Sequence, residues 1–229
     1  MKIFFLLSAL FFAGLVFGQT TVTISPAPAE ALDLVLTPVG MDKPMMVGRV
    51  EKTGSGQVNT ALDFSKISEA DRSNYGITIL ELLSFCDNSN ELFAGNNKIE
   101  AYELGPLFLM KNNELAGFIT LASDTLLTKW INDPGYEKAV VGSWFELVYI
   151  SANFAYTGEC TQTTNLESGD IETNFQLNLD LKKGLNFIEY KIESVYEGDD
   201  EGLSSIAKKV VASAYQAVPK NAKWIAYYY

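Results

Sequence analysis

The feature that most constrains the fold is a short run of strict two-residue alternation. Phe175, Leu177, Leu179 and Leu181 are separated by Gln176, Asn178 and Asp180, and Lys182 follows. Side chains of a β-strand point to opposite faces in turn, so this run specifies a strand with one buried and one wet face. A helix would scatter the same four apolar residues around its circumference. Lys183-Gly184 reads as the next turn, with residues 185–192 returning as the partner strand.

The rest of the chain extends this pattern. Residues 20–25, 31–39, 44–50 and 58–64 read as strands, with Leu32, Leu34 and Leu36 sharing a face in the second. Gly54-Ser55-Gly56 reads as a turn. Residues 77–85 read as an apolar strand, with a short helix as the alternative. Residues 99–102, 107–111 and 114–122 form the next group, and Lys111-Asn112-Asn113-Glu114 spells a hairpin turn. Residues 143–156 read as one long strand or a strand pair, and 224–229 as a closing aromatic strand. Residues 68–72 read as a helical turn or polar loop, and 87–97 and 161–170 as polar loops. Asn132-Asp133-Pro134-Gly135 is a turn signal. Two segments carry helical spacing: 123–130, with Leu126, Leu127 and Trp130 inward, and 203–218, with an irregular segment as the alternative for the latter. The fold class expected is mainly β, an antiparallel β-sandwich or partly open barrel with one or two short helices.

The N-terminus reads as an export signal. Lys2 precedes an apolar run over residues 3–17, and small Gly18 follows. The run is short of the roughly 20 residues of a membrane-spanning helix. Residues 1–18 are therefore expected to be a signal peptide, and 19–229 one β-rich domain outside the cytoplasm, with a subdivision near Asn97 as the alternative. The expected location is secreted, periplasmic or at the cell envelope. No later run is long and apolar enough for a helical span, so no transmembrane helix is expected after cleavage.

Two cysteines, Cys86 and Cys160, fit a disulfide in such an oxidising compartment. The chain has no histidine. That removes Ser-His-Asp and Cys-His catalysis and histidine metal centres. Lys and Arg total 17 against 28 Asp and Glu, a formal net charge of −11, which becomes −12 without Lys2. A chain this acidic, with basic doublets only at Lys182-Lys183 and Lys208-Lys209, does not suit nucleic acid or an anionic membrane surface.

Two stretches carry a resemblance. Trp144-Phe145-Glu146-Leu147-Val148-Tyr149 runs on to Thr157-Gly158-Glu159-Cys160, and Asp180-Leu181-Lys182-Lys183-Gly184-Leu185-Asn186 precedes a late Trp224-Ile225. This resembles a pattern in small secreted bacterial β-proteins of unassigned activity, which carry Trp where this chain has Leu185. It covers about a third of the chain, and the first half has no clear counterpart. The resemblance implies a β-sandwich fold and no chemistry.

Site signals are sparse. Asp199, Asp200 and Glu201 sit in an acidic run that offers hard oxygen ligands for calcium, although a solvated acidic loop is the commoner reading. Apart from this calcium option, no cofactor is expected and no catalytic residue stands out. Ser205 to Lys208 matches S-x-x-K only as a bare string. The aromatic content favours stacking on sugars or proteins, while Trp130, Trp144 and Trp224 are expected in the core. The function expected is a non-enzymatic extracytoplasmic binding or structural module that contacts a protein or glycan at the cell envelope. The alternatives are a histidine-free, carboxylate-dependent glycosidase and, below that, an outer-membrane β-barrel.

Overall fold

The computed structural model describes residues 19–37, 44–59, 62, 64, 68–96, 98–133, 137–166, 169–197 and 204–229. Among the described residues, fourteen strands form one continuous hydrogen-bonded sheet. They are β1 (Gln19–Ser25), β2 (Leu32–Leu36), β3 (Met45–Val50), β4 (Ser55–Asn59), β5 (Ile77–Thr78), β6 (Glu100–Glu103) and β7 (Leu107–Lys111). Next come β8 (Glu114–Ala122), β9 (Gly142–Ile150), β10 (Phe154–Leu166), β11 (Gly169–Leu181), β12 (Gly184–Val195), β13 (Ala207–Tyr215) and β14 (Lys223–Tyr228). Short helices among the described residues interrupt them, including α1 (Glu69–Tyr75), α2 (Ile79–Leu82), α3 (Ser89–Leu92) and α4 (Thr125–Asn132).

Seven strands close a barrel in the order β8-β14-β1-β4-β3-β2-β7, with β7 returning to β8. Among these seven barrel strands, β1 and β14 pair in parallel, matching Ile24 with Trp224 and Ser25 with Ile225, and the other neighbours are antiparallel. Asn112 and Asn113 turn the β7–β8 hairpin with φ of 51° and 69°, the backbone that a two-residue primed turn requires. β3 and β4 approach closely at Gly48. A Cβ added at Gly48 would lie 2.0 Å from the Gln57 carbonyl oxygen, so only glycine fits there. Alternation decides the faces: Val22, Ile24, Leu34, Leu36, Val58, Leu109 and Trp224 point inward, whereas Thr21, Thr23, Gln57 and Asn59 face out.

A second sheet region, β9-β12-β13-β11-β10, extends from the barrel as a wing. It is joined through the β8–β9 pairs Leu121–Phe145 and Ala122–Trp144. β6 lies along the other end of β9, placing Glu103 opposite Val148. Strand β9 serves both bodies. Phe145 and Leu147 fill the barrel, while Val148 and Ile150 face the wing core. In β12, Phe187 goes to the barrel and Ile188 to the wing. The α2–α3 region and α4 cover the wing, burying Ile79, Leu83, Phe93 and Leu127 against Leu177, Leu179, Leu181 and Ile188. Removal of this apolar area from water is the main stabilising term, at about 25 cal/mol per Å². The Cys86–Cys160 disulfide ties this cover to β10 across 74 positions, with the Cα atoms 5.8 Å apart.

The expected class therefore holds, and several local expectations do not. Residues 207–215 of the segment with helical spacing form strand β13, because Val210 and Ala212 face the wing core between two strands. β13 inserts between β11, to which it is parallel, and β12, to which it is antiparallel. Hence β11 and β12 are not hairpin partners. The corner between them is held by buried Asn186, whose side chain accepts the Lys182 N–H at 2.9 Å and donates to the carbonyls of Lys182 (2.7 Å) and Gly184 (2.9 Å). The apolar run from Ile77 splits into β5 and α2, since a Thr78–Glu81 capping box starts a helix there. Residues 161–166 and 169–170 are strand, because β10 and β11 pair along all thirteen positions. Ser55 and Gly56 belong to β4. Within residues 87–97, α3 replaces part of the expected loop. In α4, Leu127 is buried but Leu126 is exposed and Thr128 takes the second inner place. The signal segment 1–18 lies outside the described residues.

Candidate functional site

The acidic run Asp199, Asp200 and Glu201 lies outside the described residues. Among the described residues, no three His, Cys, Asp or Glu side chains gather as a metal-binding group. The two cysteines are brought together as a disulfide. Of the three tryptophans expected in the core, Trp224 fills the barrel, whereas Trp130 and Trp144 are half-buried at a cavity wall.

That cavity is about 420 Å³ and lies over the wing sheet beneath the helical cover. Its walls are built by period. Trp144 and Glu146 occupy the β9 parity that faces the wing, in line with Val148 and Ile150. Tyr190 of β12 lies opposite Trp144 in the ladder, and the two rings stack at 4.9 Å and 15°. Trp130 comes from α4, fixed by its indole N–H donating to the Ser205 carbonyl at 2.7 Å, and meets Trp144 edge-on at 5.8 Å and 68°. Phe85, after α2, tilts against Phe175 of β11 at 4.7 Å and stands edge-on to Tyr190 at 6.0 Å. The aromatic wall thus combines residues from five separate parts of the chain.

Two carboxylates enter this setting. Glu103 lies opposite Val148, so its side chain leaves the sheet on the same face as Glu146, one diagonal step away. Glu103 is exposed at the rim, whereas Glu146 sits deeper. The Trp144 indole N–H donates to Glu146 Oε1 at 3.2 Å, and the Tyr190 hydroxyl also hydrogen-bonds to Glu146. Burial pushes the Glu146 carboxyl above its usual range. The Trp144 bond opposes this, the Glu103 charge adds to it, and the Tyr190 bond opposes it again. Burial, then the Glu146 charge, hold the Tyr190 phenol well above its ordinary value. A second cavity of about 250 Å³ abuts the first and shares Glu103, Trp144 and Glu146 with it.

Aromatic walls with a few convergent polar groups and a perturbed acid mark a binding site better than a packing defect does. The sequence held one signal for it. Glu146 is an acid at a core-facing parity of an otherwise apolar strand. Its partners Glu103, Tyr190, Trp130 and Phe85 are remote in sequence and meet only through the sheet order. No protein-family model, curated protein or solved structure matches the chain.

Proposed function

We propose that the chain is a non-enzymatic binding module that works outside the cytoplasm and holds its ligand in the aromatic cavity over the wing sheet. The observation that carries this reading is the cavity itself: about 420 Å³, walled by Phe85, Trp130, Trp144, Phe175 and Tyr190, with Glu103 and Glu146 converging on it. That volume suits a small molecule or one protruding group of a larger envelope component, a glycan or protein. Location outside the cytoplasm is supported by the leader-like residues 1–18 and by a disulfide of the kind that oxidising compartments retain. Membrane-spanning barrels carry a polar lumen and an apolar outer band. Here the barrel interior is apolar and Thr21, Thr23, Gln57 and Asn59 face outward, which favours the binding reading.

The test is a thermal-shift screen of the exported, processed protein against small metabolites and envelope glycans. Ligands that raise the melting temperature of the parent chain, and do so less for Trp130→Ala, support the proposal. A screen without any cavity-dependent ligand contradicts it.

A glycosidase is the second reading, favoured by the presence of two carboxylates on one face of one cavity, the deeper one held toward its protonated form. Binding is preferred because Glu146 is already engaged by Trp144 and Tyr190. Turnover of chromogenic glycosides that disappears in both Glu103→Gln and Glu146→Gln would reverse that preference.

A further inference from the structure

We infer that the cavity binds a small organic ammonium cation, with the rings of Trp130, Trp144 and Tyr190 against its alkyl groups and Glu103 and Glu146 as its counter-charges. The inference rests on the cavity being the binding site and names what enters it.

Charge complementarity comes first. Among the described residues, the lining of the cavity contains two carboxylates and no Lys or Arg, and the same holds for the abutting cavity that shares them. Among the described lining residues, the other titratable group facing Glu146 is the Tyr190 phenol from β12. The lining residues from α2, α4, β10, β11 and β13 carry none. With a net charge of −11, the chain also draws cations toward itself.

Ring geometry points the same way. Trp144 and Tyr190 stack at 15°, while Trp130 meets Trp144 at 68° and Phe85 meets Tyr190 at 82°, so a stacked pair is flanked by steep walls. Such walls present several negative π-faces to one alkylated cation. A sugar needs many hydroxyl partners, and three of the wall's donors are already engaged. The Trp130 N–H is held by the Ser205 carbonyl, the Trp144 N–H by Glu146, and the Thr173 hydroxyl by the Ala207 carbonyl at 2.7 Å. A quaternary ammonium group makes no such demand. It needs ring faces and negative charge, which this lining supplies. A bound cation also favours the ionised form of Glu146, which burial alone opposes, so binding strengthens as pH rises through the Glu146 titration.

The test is calorimetric titration of the exported, processed protein with choline and with 3,3-dimethylbutan-1-ol, which has the same shape without the charge. The expected result is choline binding at least about tenfold tighter than the alcohol, a preference lost in Glu146→Gln and reduced in Glu103→Gln. Affinity should rise with pH as Glu146 ionises. Should Glu146→Gln fail to fold, Glu103→Gln at the exposed rim and Trp130→Ala carry the same test. Equal affinity for the two probes overturns the inference. If choline fails while another ligand binds in a Trp130-dependent way, the inference falls and the binding module stands. If nothing binds, both fall. Phosphatidylcholine vesicles separate the sources: co-sedimentation with vesicles without binding of free choline overturns the small-molecule assignment.

Discussion

Asp87 holds Thr163 at the open edge of the wing. Its two carboxylate oxygens accept the Thr163 backbone N–H at 3.1 Å each, and one also accepts the Thr163 hydroxyl at 2.6 Å. The Asp87 N–H donates to the Thr161 carbonyl at 2.9 Å. β10 is the outermost strand, so these are the groups another strand would use to extend the sheet. The disulfide at the adjacent Cys86 keeps the cap in place.

Asp87→Ala is expected to uncap the edge and increase self-association relative to the parent chain, read by light scattering across a concentration series. Thr163 holds the Asp87 carboxyl below its ordinary value. The cap therefore acts fully above the unfolded value of about 3.9 and is lost as pH falls through the lowered folded value. The parent chain should show the same association only in strong acid. A variant as dispersed as the parent would remove the capping role.

Reducing the disulfide, or replacing both cysteines by serine, is expected to lower stability by about 4 kcal/mol, the chain-entropy value for a loop of this length. Denaturant midpoints of the oxidised and reduced protein measure it. The loss should leave far-ultraviolet dichroism at neutral pH largely unchanged, because the sheet ladders do not depend on the bridge.

The Glu146→Gln variant should alter how stability depends on pH. Because burial raises the folded-state value of this acid, its contribution is fully present below the unfolded value and declines as pH rises through the folded one. Melting temperatures from acid to neutral pH should fall less steeply in the variant. Parallel profiles would mean that Glu146 is better hydrated than its surroundings imply.

Phe187 and Ile188 are neighbours in β12 that point into different cores. Truncation of either to alanine is expected to cost about 3–5 and about 2–5 kcal/mol respectively. Both variants should still unfold in one transition, since β9 and β12 serve the barrel and the wing together. Two separated transitions in either variant would show that the bodies unfold independently.

Asn186→Ala removes three hydrogen bonds to the backbone of the β11–β12 corner and a longer one from the Gln216 amide. A loss of about 2–3 kcal/mol is expected from the backbone groups left without their partner. Asn186→Asp should not rescue it, because a carboxylate accepts but cannot donate to the two carbonyls.

Much of the sheet was legible in the sequence because alternation is a local property. Leu32, Leu34 and Leu36 and the Phe175–Leu181 series lie where their period puts them. Strand order is not local. The insertion of β13 between β11 and β12 follows from pairings far apart in sequence, and the helical spacing of residues 203–218 competed with its strand alternation over the same stretch. The cavity was illegible for the same reason. Glu146 alone carried a signal, and what makes it unusual is a set of neighbours contributed by β6, β12 and α4.

The parallel seam between β1 and β14 has a consequence for biogenesis. The two strands that seal the barrel stand at opposite ends of the described chain, so a polypeptide emerging N-terminus first presents β1 long before its mate exists. Sealing cannot precede the synthesis of β14. Until then, one flank of β1 stays without its strand partner and open to other contacts.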